Sequence, residues 1–365
     1  GGSIGAAESY ADGAGRSDDL TTVVRLFARN PELAGAVESG SARLRRALER
    51  LLHLVRTPTR RASRRNIMAH YDLGNDFFEL FLDPTMMYSC AVFPLPGATL
   101  EAALIHKVDR LAAKLELGPG LRLLEIGSGW GYFATRAAER YGCEVVTVTI
   151  SPAQRRRVEA RIAARGLGDR VRVLECDYRA LDPGVLGTFD RLVSIEMIEA
   201  VGHRYLPVYF GTLSRMLAPT GLAALQAIVI PDQKYETYRR SVDFIQRHVF
   251  PGSLLPSLAR ISECVRDATD LRLVDLEDIT EHYPPTLAAC RRPRHSTGSD
   301  STRDSVACGT TTSPIARGAS SSGSSATCSS STPNRRTPAA AGGASRESPH
   351  RHRRAPLDPG HARPA

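Results

Sequence analysis

The segment LRLLEIGSGWG (residues 121–131) decides the fold: an apolar run ends in three glycines, Gly127, Gly129 and Gly131. A strand that turns into a helix through glycine can adopt positive φ and lets a ligand approach the main chain closely. The spacing is Gly-x-Gly-x-Gly, not the Gly-x-Gly-x-x-Gly that suits a dinucleotide pyrophosphate. The acid just ahead of the glycines, Glu125, suits a cationic ligand bearing an amino group better than a diphosphate.

Outward from this turn, WGYFATRAAERYG (130–142) reads as a helix, CEVVTVTIS (143–151) as a second strand and PAQRRRVEARIAARG (152–166) as another helix. VRVLECD (171–177), FDRLVSIEM (189–197) and GLAALQAIVI (221–230) continue the β-type runs. Strands alternating with helices at this spacing predict an α/β fold with a doubly wound, Rossmann-like parallel sheet. Ligands of such sheets lie at the carboxyl ends of the strands. There Thr149, Ser151 and Gln154 are expected beside ribose hydroxyls, and Asp177 and Tyr178 beside an adenine amino group. With Glu125, Gly127, Gly129, Trp130 and Gly131 they make a nucleoside cofactor site; a purely structural turn is the plain alternative.

The other 365-residue features bound the reading. Residues 1–65 form a helical accessory segment, in which SARLRRALERLLHLVR (41–56) sets Leu44, Leu48, Leu51, Leu52 and Val55 on one face. That face either packs on the body or lies on a membrane surface, and Arg60, Arg61, Arg64 and Arg65 follow it. No run reaches the ~18 apolar residues of a membrane span. There is no signal peptide, and a start without Met reads as the interior of a longer gene. Seven cysteines without Cys-x-x-Cys spacing indicate neither a metal site nor a disulfide framework, which suits a reducing cytoplasm. The net charge of +9 argues little for nucleic acid: residues 291–365 hold twelve Arg, no Lys and four acids, a net +8. This stretch lacks helical or strand periodicity and large apolar residues, so a disordered tail is expected after a domain spanning 66–290.

Four blocks in order, NIMAHYDLGNDFFELFLDPTMMYSCAVF (66–93), EIGSGWG (125–131), SIEMIEAVG (194–202) and FIQRHVFPGSLLPS (244–257), resemble the cyclopropane-fatty-acyl-phospholipid synthase family, which includes the mycolic acid cyclopropane synthases. The resemblance covers about residues 1–290. It implies transfer of a methyl group from S-adenosylmethionine to the cis double bond of a phospholipid acyl chain. The resulting carbocation loses a proton from the new methyl group to a bound bicarbonate and closes to a cyclopropane. The implied bicarbonate ligands fall on Cys90, Glu199, Tyr283 and the main chain of Ile228, while the family's His falls on Gln226. A neutral amide can donate to an anion but cannot supply charge. This departure leaves open a related lipid methyltransferase giving a methyl or methylene branch. A non-catalytic remnant, disabled by the altered C-terminus, also stays open. The resemblance further implies cofactor contacts from Tyr71, Tyr88 and Ser89, and a cytoplasmic enzyme peripheral to the inner face of the membrane. A homodimer is left open as its assembly.

The family continues past Cys290 with helices that this chain lacks. One permissible coding of Ala307–Gly318, read from its third base, gives Met-Trp-Asp-Tyr-Tyr-Leu-Ala-Tyr-Cys-Glu-Gly, which resembles the family's final helix. A one-base deletion near Cys290 is therefore expected, with a genuine Arg/Ser/Ala tail as the alternative.

Overall fold

The computed structural model describes residues 2–30, 74–291 and 325–329. Tyr71, the helix expected over 41–56, the arginines after it and the tail apart from 325–329 lie outside the described residues. The helices α1 (Gly2–Ala11) and α2 (Leu20–Arg29) agree with the expected helical N-terminal segment. The short α3 (Asn75–Glu79) and the long α4 (Leu100–Lys114) lead into the sheet.

β1 (Arg122–Ile126), α5 (Tyr132–Tyr141), β2 (Glu144–Thr149), α6 (Pro152–Ala164), β3 (Val171–Glu175) and β4 (Phe189–Ile195) alternate as the periodicity predicts. α7 (Leu206–Met216), β5 (Leu217–Ile228), α8 (Asp232–Tyr238) and α9 (Leu258–Ala268) follow, then β6 (Asp275–Asp278), α10 (Tyr283–Cys290) and β7 (Ser325–Ser329). The strand order is β3-β2-β1-β4-β5-β7-β6, with β1 to β5 parallel. β5 begins four residues earlier than the apolar run suggests, at Leu217. Within the tail, the five residues of β7 pair antiparallel with β5 and β6, satisfying backbone groups of both strands.

Because side chains alternate along a strand, consecutive residues supply opposite cores. Leu124 and Leu192 join Tyr209, Phe210, Leu213 and Met216 of α7 on one face. Leu123 and Val193 join Leu111, Phe133 and Val158 on the other. The chain reverses its winding between β1 and β4, the switch point where such sheets open a crevice.

Candidate active site

The glycine turn is built as its sequence demands. Gly127 has φ 98° and Gly131 φ 82°. A Cβ at Gly127 would come within 3.1 Å of the Met197 side chain, and one at Gly131 within 3.0 Å of Val158. The amides of Gly127 and Ser128 donate to the Val148 carbonyl of β2 at 3.0 and 2.9 Å, tying the turn to the neighbouring strand. Gly129 continues the positive-φ run, with φ 49°. Trp130 is buried; its indole N–H donates to Asn75 at 2.8 Å and its ring packs 5.0 Å from Phe78. Tyr88 extends this aromatic wall, lying 5.5 Å from Phe78 and stacking at 6.1 Å on Phe250.

Below the turn, Glu125 is buried and its carboxylate accepts from the Thr147 hydroxyl at 2.6 Å. Burial pushes its carboxyl up to about 8. At the end of β2 the structure brings Thr149, Ser151 and Gln154 together, as expected, and bonds them to one another. The Thr149 hydroxyl donates to Gln154 at 2.8 Å and accepts from the Ser151 amide at 3.1 Å, while Ser151 caps α6 by accepting from the Gln154 amide. Asp177 likewise caps its own turn and holds Arg179 through two short bonds of 2.8 and 2.6 Å. Tyr178 packs edge-on against Tyr209. These side chains therefore build the rim of the crevice.

The second half of the site lies at the ends of β4 and β5. Cys90 is buried, and burial pushes its thiol far above the usual range, so it is not a thiolate. Its loop is seated by α10, where the Thr286 hydroxyl accepts from the Ala91 amide at 3.1 Å. Glu199 accepts the Ile228 amide at 2.6 Å, and its other carboxyl oxygen has no hydrogen-bond partner among the described residues. Burial first, then the nearby Glu196, pushes Glu199 up to about 8, so it is a neutral acid below that pH. Gln226 is buried and donates both to the Cys90 carbonyl at 3.1 Å and to Glu196 at 2.8 Å.

Glu196 and Lys107 were not singled out by the sequence reading. Glu196, first after β4, has φ 46°, a conformation that L side chains other than Asn and Asp rarely hold without a reason. Its carboxylate accepts from the Cys90 amide at 2.9 Å, from Gln226 at 2.8 Å and from the Tyr283 hydroxyl. Lys107 of α4 is 1% exposed and donates to the Ser89 hydroxyl at 2.6 Å. Burial pushes its ammonium down to about 8 against the pull of Glu196. A signal for Lys107 was present: it interrupts the apolar stripe of Leu104, Val108 and Leu111. For Glu196 the signal was an acid at a strand's carboxyl end.

Cys90, Glu199, Gln226, Ile228 and Tyr283 are thus brought together as the resemblance implies. The donors expected to hold bicarbonate are, however, already bonded to carboxylates of the chain. Cys90, Gln226 and Tyr283 face Glu196, and Ile228 faces Glu199. Bicarbonate would enter beside the Glu196 carboxylate with these donors engaged, so the site does not fit it.

Known proteins resemble this chain in sequence and in fold. A sequence profile described as mycolic acid cyclopropane synthetase matches residues 58–297. Tuberculostearic acid methyltransferase UfaA1 of Mycobacterium tuberculosis is 42% identical over 308 residues, 80% of this chain and 68% of the relative. Cyclopropane mycolic acid synthase 1 of the same species is 37% identical over 231 residues, 61% of this chain and 79% of the relative. The crystal structure of mycolic acid cyclopropane synthase CmaA1 complexed with SAH and CTAB superposes with a TM-score of 0.66 at 30% identity, covering 74% of this chain and 98% of the other. With the glycine turn, the crevice and these relatives in agreement, the chain belongs to the mycolic acid cyclopropane synthetase family of S-adenosylmethionine-dependent methyltransferases.

Proposed function

We propose that the chain transfers a methyl group from S-adenosylmethionine to the cis double bond of a phospholipid acyl chain. The observation that carries this reading is the pairing of a glycine-turn crevice with an enclosed acid cluster, Glu196 and Glu199, at the ends of β4 and β5. Bound at the crevice, S-adenosylmethionine supplies an electrophilic sulfonium methyl. Residues 127–131 offer it backbone, while Tyr88, Phe78 and Trp130 offer aromatic faces that favour positive charge over a nucleophile. Cys90, protonated, does not compete as a nucleophile.

Methyl addition to an alkene leaves a carbocation that must lose a proton. Loss directly from the new methyl closes a cyclopropane, the product named for several relatives. A hydride shift before that loss gives a methylene branch. The second outcome is favoured here by the 42% identity to a tuberculostearic acid methyltransferase and by the neutral Gln226 in place of His. We therefore read the product as a methylene-branched acyl chain, with cyclopropane as the second reading.

A membrane surface is the natural source of the acyl chain. Among the described residues no helix is long and apolar enough to cross a membrane. α2, with Val23, Leu26 and Phe27 exposed beside Arg25 and Arg29, suits the interface of an anionic leaflet. Incubation with label-bearing cofactor and vesicles of unsaturated phospholipid, followed by mass and proton spectra of the fatty acids, tests the reading. A gain of one CH2 with vinylidene signals is expected; ring-methylene signals would favour the second reading, and unlabelled lipid beside retained cofactor binding would refute both.

A further inference from the structure

We propose that the Glu196 carboxylate is the proton acceptor of this enzyme, an anion built into the chain where the family resemblance places a captured bicarbonate. The inference rests on the methyl-transfer reading above and deepens it.

Three observations converge. Every donor around Glu196 belongs to the set expected to hold the small anion: the Cys90 amide at 2.9 Å, the Gln226 side chain at 2.8 Å and the Tyr283 hydroxyl. The backbone bends to φ 46° at this residue, and the Glu196 amide donates to the Gln226 carbonyl at 2.7 Å, which locks the bend to β5. A strained non-glycine conformation persists only where its surroundings over-determine it. The charge balance also fits. Lys107, fully buried on α4, attracts Glu196 and, by way of Ser89, anchors the loop that carries Cys90. Burial raises the Glu196 carboxyl above the usual carboxylate range, while Lys107 and the three donors oppose that rise. A carboxylate lifted in this way is a better base than one in water, and its three donors still leave it an open lone pair to receive the proton.

The neutral Gln226 follows from the same geometry. A captured anion gains from a cationic His, but a covalently fixed carboxylate needs only a donor to aim it. The amide of Gln226 serves by bridging Glu196 to the Cys90 carbonyl.

The proton step balances without a further reagent. One C–H bond of the transferred methyl breaks. Its electron pair becomes the new C–C bond of a ring, or the exocyclic π bond after the hydride shift, and the cation is discharged. The proton passes to a Glu196 oxygen and leaves to water when product departs.

Two measurements on the full chain test this. First, isotope-labelled bicarbonate is titrated into protein saturated with S-adenosylhomocysteine and followed by carbon NMR. The wild type is expected to take up none, whereas Glu196→Gly, which removes the carboxylate and relaxes the positive φ, is expected to bind it. Uptake by the wild type at Glu196 would overturn the proposal even if turnover were never seen. Second, turnover is compared in buffer stripped of carbon dioxide. The wild type is expected to be indifferent to added bicarbonate, Glu196→Gln to lose about 10²-fold or more with cofactor affinity retained, and Glu196→Gly to regain activity with bicarbonate or formate. Wild-type dependence on bicarbonate, or a fully active Glu196→Gln, would overturn it. A wild type that binds cofactor yet methylates no lipid would instead count against the methyl-transfer reading, leaving the binding test to judge Glu196.

Discussion

Lys107 donates to the Ser89 hydroxyl beside Cys90, and its buried ammonium lowers the Glu196 carboxyl more than any of that carboxyl's hydrogen-bond donors. It therefore acts as a positioning residue, and its removal should be visible as a shift in titration. Glu196 also faces Glu199, Cys90 and Tyr283, and Lys107 faces Asp83; none of these others supplies positive charge. In Lys107→Met the main lowering influence on Glu196 is gone, so its carboxyl rises further. The acidic limb of the pH–rate profile should move to higher pH, with the cofactor dissociation constant within about twofold. An unmoved limb accompanied by a uniform loss of rate would assign Lys107 a structural role only. Sequence patterning exposes this residue, because a charge inside an apolar stripe is conspicuous. It does not expose Glu196, since nothing in a linear reading says that an acid after a strand bends back to meet Cys90, 106 positions away.

At the scale of elements, the glycine turn joins β1 to α5 and abuts α6 through Val158. Gly131→Ala places a methyl 3.0 Å from Val158 at φ 82°, so strain and crowding add. The variant should lose about 1–3 kcal/mol, read as a lower denaturant midpoint at unchanged slope. A midpoint equal to wild type would show that the turn has slack the geometry denies. The parallel strands and this turn were legible because period and glycine placement are local properties. The polar residues lie at the strand ends, as their spacing suggests, but their bonds to one another were not legible. Thr149, Ser151 and Gln154 satisfy each other, and Asp177 is engaged by Arg179, contacts set by loop shape rather than by spacing. β7 was illegible for a different reason. Its sequence, Ser-Ala-Thr-Cys-Ser, lacks an apolar pattern, and what recruits it is the backbone edge of β5 and β6.

For the molecule as a whole, buried acids shape how stability responds to pH, Glu125 and Glu199 foremost. Glu125 and Glu199 are both pushed up to about 8 from an ordinary 4.5. Between those limits the unfolded chain releases protons that the native chain keeps, so stability falls as pH rises, by at most about 1.4 kcal/mol per pH unit for each group. Lys107, lowered to about 8 from 10.5, acts in the opposite sense above pH 8, where the unfolded chain holds the extra proton. The melting temperature should therefore fall from about pH 5 to about pH 8 and level or recover beyond it. Glu125→Gln should flatten the fall, and an identical slope in that variant would refute the assignment. Resequencing the locus tests the one-base deletion expected near Cys290, and an unbroken frame encoding residues 291–365 as they stand would refute it.

On the proposed reading, a methyl group reaches an acyl double bond and then gives up one of its own hydrogens inside the acid cluster. The 365-residue chain is supplied with S-adenosylmethionine whose methyl group is fully deuterated and with unsaturated phospholipid vesicles, and the product fatty acids are weighed. The expected product has kept all but one of the transferred deuterons. A product retaining every deuteron, or lipid that acquires none, would contradict it.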